Sequence, residues 1–332
     1  MTEPLRPMNL GEILDRAFQI YRARFLVFGS VVALRVLAIL AVQFADISWF
    51  HFSSLVHSTK PGEGLLWGIA VWLAYYHLAV LLSIPFAPAL FQAASAAELA
   101  ESTSIRKALR FAFARWLTYL WIGILKFTAG LIVPEILTLI LFAGVAVAES
   151  AAGGFKQPKP HFAVLFALLA PLFAGFALFL WAGACLSFAT PASAFEGLSG
   201  LKALRRSWLL SRGARMRILV TWVVVSTFGF IFAYGTALAF WWVVMLIHGR
   251  TPFSPAGQTL YQESLSVVNA VVSILIGPIY PIAVTLIYYD QRIRKEGYDI
   301  ERMMEAAGLN APARLPGAEA PAAPVAEDEA RA

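Results

Sequence analysis

Four ionisable side chains are embedded in long apolar stretches of the chain: Arg35, His77, Lys126 and Glu135. A charge at the centre of a bilayer costs at least about 2.5 kcal/mol on insertion scales, so residues of this kind mark a candidate polar path for an ion, a proton or an anionic solute. The blander reading has Arg35 and Lys126 reaching back to the nearer boundary along their alkyl stems, with Glu135 facing a cavity or a partner helix. Lys126 and Glu135 stand nine residues apart, roughly 13 Å along one straight helix at about 1.5 Å per residue, too far for a direct pair. An Arg35 to Glu135 contact between helices stays open.

Histidines form a second constellation, since His51, His57, His161 and His248 all fall on or near one face. Imidazole binds zinc or copper, but these spacings make no compact metal motif, and His51 and His57 share no obvious helical face. Asp46, Glu63, Glu149 and Glu263 would complete a site only if three loops converged. No metal and no cofactor is expected. Enzyme templates are missing as well: there is no HExxH, no GxSxG and no P-loop, and Ser187 and Ser193 have no identifiable base. The expectation is a protein that is not an enzyme.

The elements that carry these residues are set by hydropathy. With a mean hydropathy of +0.70 and only 14% charged residues, the chain is too apolar for a soluble domain, which carries about a quarter. A span needs roughly 20 apolar residues, and six segments qualify, approximately 25–44, 65–94, 117–148, 161–190, 218–247 and 265–289. Several are long enough to tilt or bend. Pro85, Pro88, Pro134, Pro171, Pro191, Pro278 and Pro281 lie in or beside them, where neighbouring helices can satisfy the freed carbonyls. The fifth segment carries Gly229, Ala233 and Ala237 at four-residue spacing, a stripe that permits close helix approach.

Cations alternate between loops. Arg6, Arg16, Arg22 and Arg24 precede the first span. Arg106, Lys107, Arg110 and Arg115 fill the second loop, and Lys202, Arg205, Arg206, Arg212, Arg215 and Arg217 the fourth. Arg292, Arg294 and Lys295 follow the sixth span, whereas the other loops hold only Lys60, Lys156, Lys159 and Arg250. Positive loops stay inside, so both ends are expected to be cytoplasmic. No nucleic-acid motif accompanies the net charge of +6, which makes anionic lipid the expected counter-charge and nucleic acid an unexpected partner. The N-terminal segment is charged and amphipathic, with no suitable cleavage site, and reads as retained. The single cysteine, Cys185, allows no internal disulfide.

Three basic segments resemble one another: LGEILDRAFQIYRARFLVFG, SIRKALRFAFARWLTYLWIG and LSGLKALRRSWLLSRGARMRILVTW. Superimposing Arg16, Arg110 and Arg206 gives steps of 94 and 96 residues, each unit being a surface helix plus a two-span hairpin. In the first copy Leu10, Ile13, Leu14, Ala17, Phe18, Tyr21 and Phe25 form one side, and Glu12, Asp15, Arg16, Gln19 and Arg22 the other, the pattern of an interfacial helix. Ile105, Leu109, Phe113 and Trp116 repeat the apolar side, as do Leu201, Leu204 and Trp208, with Gly213 interrupting. Asn9 and Glu12 form a candidate capping box. Headgroup contacts are expected from Arg16, Arg22, Arg110, Arg115, Arg205, Arg206 and Arg212.

On LGEILDRAFQIYRARF, ALRRSWLLSRG and the exit sequence YYDQRIRKEG followed by Tyr298 and Asp299, the chain resembles a bacterial membrane-domain family named for similarity to the membrane part of glycerophosphoryl diester phosphodiesterase. The resemblance covers most of 5–305. It implies a multi-spanning helical domain and transfers no catalytic group. Diester hydrolysis in that enzyme belongs to a soluble α/β barrel of about 250 residues, for which no segment here leaves room.

The reading is an all-α bundle of six spans built from three two-span repeats. Residues 1–24 form an N-terminal cytoplasmic interfacial helix, 25–290 the membrane domain, and 291–310 a cytoplasmic helix that Gly308 could stop. Residues 311–332 form a disordered tail of Ala, Pro and acidic residues. The expected role is a non-enzymatic scaffold or accessory subunit of a bacterial plasma membrane, engaging anionic lipid or partner proteins. The alternative is a transporter using the intramembrane charges.

Overall fold

The computed structural model describes residues 6–45, 63–151, 161–248 and 255–306, and among them it contains helices and no strand. Chain order gives α1 (Leu10–Ala23), α2 (Phe25–Ala45), α3 (Glu63–Ser83), α4 (Ala87–Glu98), α5 (Ile105–Ala114), α6 (Trp116–Phe127) and α7 (Val133–Ala151). There follow α8 (His161–Leu186), α9 (Ala189–Glu196), α10 (Gly200–Ser211), α11 (Arg215–His248), α12 (Pro255–Ile276), α13 (Ile279–Glu296) and α14 (Tyr298–Ala306). Six stretches are long and apolar enough to cross a membrane: Phe25–Val42, Leu73–Glu98, Trp116–Ala148, Leu169–Glu196, Arg215–Val243 and Leu265–Glu296. The protein is a multi-pass membrane protein. Large apolar side chains such as Leu139, Ile140, Phe173 and Phe230 are exposed along these helices, where lipid takes the place of a protein neighbour. The helices continue past the sequence-based ends, because the charged exit residues Glu98, Glu196 and Glu296 find ion-pair partners at that end of the bundle.

Each even-numbered span is broken. A 3₁₀ turn at Ile84–Phe86 separates α3 from α4, Ser187 and Phe188 separate α8 from α9, and Gly277 and Pro278 separate α12 from α13. Pro85, Pro191 and Pro278 lack the amide that would continue the ladder, and neighbouring side chains serve backbone groups at two breaks. Ser207 of α10 donates to the Cys185 carbonyl at 2.7 Å and accepts the Phe188 amide at 3.1 Å. Tyr21 of α1 donates to the Leu275 carbonyl at 2.6 Å. The core lies in the second halves of these spans, around Phe91, Phe188, Ala192, Ile282 and Leu286.

The third span carries a different irregularity, a π-helical segment at Thr128–Ile132. Pro134 cannot donate to the carbonyl of Gly130 and its ring crowds that turn, which the wider π coil accommodates. On the α7–α8 contact, a methyl built on Gly175 would overlap the Thr138 side chain. Gly175→Ala is expected to lower stability by about 1–3 kcal/mol through overpacking, despite alanine's better helix propensity. Adding Thr138→Ala should return the thermal midpoint toward wild type, and a midpoint unmoved by Gly175→Ala would refute the close contact. The fifth-span stripe packs only in part: Ala233 and Ala237 are buried, but Gly229 has open space.

The short helices begin in strict register. Their N-caps are Asn9, Ser104 and Ser199, separated by 95 residues in each step. This replaces the alignment through Arg16, Arg110 and Arg206, since the caps set Phe111 rather than Arg110 at the position of Arg16 and Arg206. Buried residues follow the same register, with Ile13, Ala108 and Ala203 at one position and Ala17, Ala112 and Ser207 at the next. In α1 the packed face is the one read from periodicity, with Ile13, Ala17 and Tyr21 buried, whereas α5 and α10 bury Ala108, Ala112, Ala203 and Ser207 rather than the bulky residues read for them. Small residues let the helices approach their neighbours closely, while Phe18, Phe113, Trp116 and Leu201 are turned outward. Arg24 and Arg115, closing α1 and α5, share one backbone bend, with φ/ψ of −130°/35° and −127°/34°.

Asn9 completes the capping box, accepting the Glu12 amide at 2.9 Å while its own amide donates to Glu12 Oε2 at 2.8 Å. That backbone bond, with the Arg6 guanidinium, holds the Glu12 carboxyl below its ordinary value.

Candidate functional site

Lys126 follows Trp116, the first residue of α6, by ten positions, which carries it about 15 Å inward from the helix start. On α6, Tyr119, Gly123 and Lys126 recur at four- and three-residue spacing, which sets them on one helix face, and Gly130 of the π segment continues the line. This face borders a cavity of about 320 Å³, closed by α3, α4, α8 and α9 and lined also by Tyr76, Val80, Ser83, Phe127, Gly183 and Thr190. Lys126 Nζ donates to Thr190 Oγ1 at 3.2 Å. Among the described residues, no carboxylate lies within ion-pair distance of it. The Tyr119 hydroxyl is buried without a hydrogen-bond partner.

His77 and Glu135 meet on the far side of Phe127. His77 Nε2 lies 2.7 Å from Glu135 Oε2, its Nδ1 lies 2.5 Å from the Leu73 carbonyl, and its ring meets Phe127 edge-on at 5.4 Å. A carbonyl only accepts, so Nδ1 carries the proton toward Leu73. The contact with Glu135 then needs one more proton, either on Nε2 or on the carboxyl. Both arrangements leave the pair neutral overall, which suits an apolar setting. Glu135 thus takes His77 as its partner, and the contact with Arg35 left open by the sequence does not form. Arg35, on α2, does not line the cavity, and its Nε is buried without a hydrogen-bond partner. The structure brings His77, Glu135 and Lys126 into one neighbourhood and leaves Arg35 outside it.

At the basic end, the surface-helix cations divide into two groups. Arg16 pairs with Glu98 at 3.0 Å. Arg115 donates to the Gly197 carbonyl at 3.1 Å. Arg206 grips Glu196 at 2.8 and 2.9 Å and also pairs with Glu296 at 2.5 Å. Each short helix is thereby tied to the turn that ends its own two-span unit. Hydrogen bonds to Glu296 first, and then to Glu196, hold the Arg206 guanidinium above its ordinary value against the opposing effect of burial. Arg22, Arg110, Arg205 and Arg212 are exposed, and among the described residues no carboxylate pairs with them.

Three further clusters have no counterpart among the candidates read from the sequence. Asp290, fully buried, accepts the Met8 amide at 2.9 Å and pairs with Arg217 at 2.6 Å and Arg294 at 2.9 Å. Lys295 Nζ donates to the carbonyls of Leu209, Leu210 and Arg212 at 3.3, 3.0 and 2.5 Å, satisfying orphan acceptors at the end of α10. Arg215 stacks over Trp208 and Trp181, with its carbon 4.7 and 5.5 Å from the ring centres. The recurrence of glutamate at 98, 196 and 296 is a usable sequence signal for the ties at this end; nothing in the sequence marks Tyr119 or Thr190.

Among the described residues no group of three or more metal-binding side chains gathers. His51, His57 and Asp46 lie outside the described residues, as do Lys60, Lys156, Lys159 and Arg250, and of His161, His248, Glu63, Glu149 and Glu263 only the backbone is described. Gly308 and 311–332 also lie outside them. No protein-family model, no curated protein and no solved structure matches the chain.

Proposed function

We propose that the protein is a non-enzymatic component of a bacterial plasma membrane, a scaffold or accessory subunit whose basic end faces the cytoplasm and engages anionic lipid. The observation that carries this reading is the division among the surface cations. Carboxylates fasten Arg16 and Arg206, whereas Arg22, Arg110, Arg205 and Arg212 stay exposed and, among the described residues, without a carboxylate. An interfacial cation gains on the order of 1 kcal/mol near an anionic leaflet. A cleft of about 430 Å³ between α1 and the α11–α12 hairpin is lined by Phe18, Val225, Phe228 and Leu275, with Asp15 also on its wall. Such a cleft suits an acyl chain. Membership of the membrane-domain family is likewise a proposal, resting on the motifs that carry the resemblance.

The test is native mass spectrometry of protein extracted with its lipids. Changing Arg22, Arg110, Arg205 and Arg212 together to Gln is expected to reduce the enrichment of anionic over zwitterionic lipid at least tenfold, at about 1 kcal/mol per side chain. Unchanged enrichment would sink the reading. Transport is the second reading, favoured by the His77–Glu135 pair beside the Lys126 cavity, and solute flux through reconstituted vesicles would bring it forward.

A further inference from the structure

The cavity beside α6 combines features that packing alone does not require. Its wall carries an ammonium whose only hydrogen-bond partner among the described residues is the Thr190 hydroxyl. An ammonium has three donors, so two remain. The Tyr119 hydroxyl adds another unpartnered donor on a residue only 3% exposed. Buried polar groups are ordinarily satisfied, and a cation within a span ordinarily finds a partner. The remaining donors therefore call for an acceptor-rich, negatively charged group.

The rest of the lining is apolar, including Val80, Phe127, Leu131 and Leu186. Tyr76, which also lines the cavity, is exposed on a membrane-spanning helix, so the cavity meets the surface where lipid would lie. At about 320 Å³, it falls at the low end of ligand pockets, roughly 300–1,000 Å³, which selects one chain over two. We propose that this cavity binds a single-chain anionic amphiphile, with its carboxylate or phosphate head on Lys126, Tyr119 and Thr190 and its chain along Val80, Phe127 and Leu186. The site is separate from the exposed arginines and goes beyond the lipid contact assigned to them.

The test uses the full chain in lipid nanodiscs with a diazirine-bearing palmitate as probe and peptide mapping of the crosslinks. Saturable labelling of segments 119–131 and 179–190 is expected, competed by palmitate and by lysophosphatidate but not by hexadecanol or inorganic phosphate. Lys126→Met should reduce the labelling at least tenfold. Gly183→Leu supplies an independent variant: a Cβ there meets nothing within 4 Å, and the longer side chain would occupy the cavity while improving helix propensity. It should also reduce labelling tenfold in protein that elutes as wild type. The four-arginine variant should label normally, which separates this site from the basic-end reading. Equal labelling in Lys126→Met and Gly183→Leu relative to wild type, or equal competition by hexadecanol, would overturn the proposal. Phosphate binding without palmitate labelling would also overturn it and indicate a free-anion site.

Discussion

Replacing Asp290 with alanine is expected to destabilise the folded bundle by about 3–5 kcal/mol, the cost of breaking a buried ion pair and leaving its partners uncompensated. The carboxylate is fully buried and holds Arg217 of α11, Arg294 of its own helix and the amide of Met8 in the N-terminal arm. Arg294 also donates to the Met8 carbonyl at 3.0 Å, closing the cluster. Asp290→Asn should fall between wild type and the alanine variant, because the amide retains one acceptor oxygen but loses the charge. The apparent unfolding midpoint in detergent checks this. A midpoint for Asp290→Ala within error of wild type would mean that the cluster contributes nothing to holding the N-terminal arm and α11 against α13.

Glu196→Ala is expected to rank next, at about 2–4 kcal/mol. Its carboxylate accepts two bonds from Arg206 and one from the Tyr288 hydroxyl, and Arg292 approaches at 3.8 Å. Tyr288 is fully buried, so removing Glu196 strands its hydroxyl in the core. Arg206 would keep Glu296, which makes the effect smaller than at Asp290. A double-mutant cycle with Tyr288→Phe isolates the tyrosine's share. If Glu196→Ala costs as much in the Tyr288→Phe background as alone, the hydroxyl contact carries no energy.

Hydropathy and charge reveal the six spans because span length and apolar content follow directly from bilayer thickness. The capping box at Asn9 is equally legible, being a local pattern of two residues. Side-chain partnerships between spans are not. His77 and Glu135 lie 58 positions apart, and Pro134 marks a break in the ladder before Glu135 without specifying its π form. Periodicity finds the packed face of α1, where Ile13, Ala17 and Tyr21 are buried, but misreads α5 and α10 for a physical reason: it weights bulky apolar residues, whereas close packing there is made by Ala108, Ala112 and Ala203. The cavity is legible only at Lys126, since its other polar contributors are an ordinary tyrosine and threonine in apolar sequence.

The 95-residue register of the N-caps also constrains how such a chain can grow. Any segment of one short helix and two spans returns the chain to the side on which it started, so short helices spaced in this way all begin from the same side. Inverted pairs, the arrangement behind many rocking-bundle carriers, need units with an odd number of spans. Duplication or loss of one whole unit would therefore preserve the sidedness of everything downstream, and the arginine-to-turn tie made within each unit would travel with it.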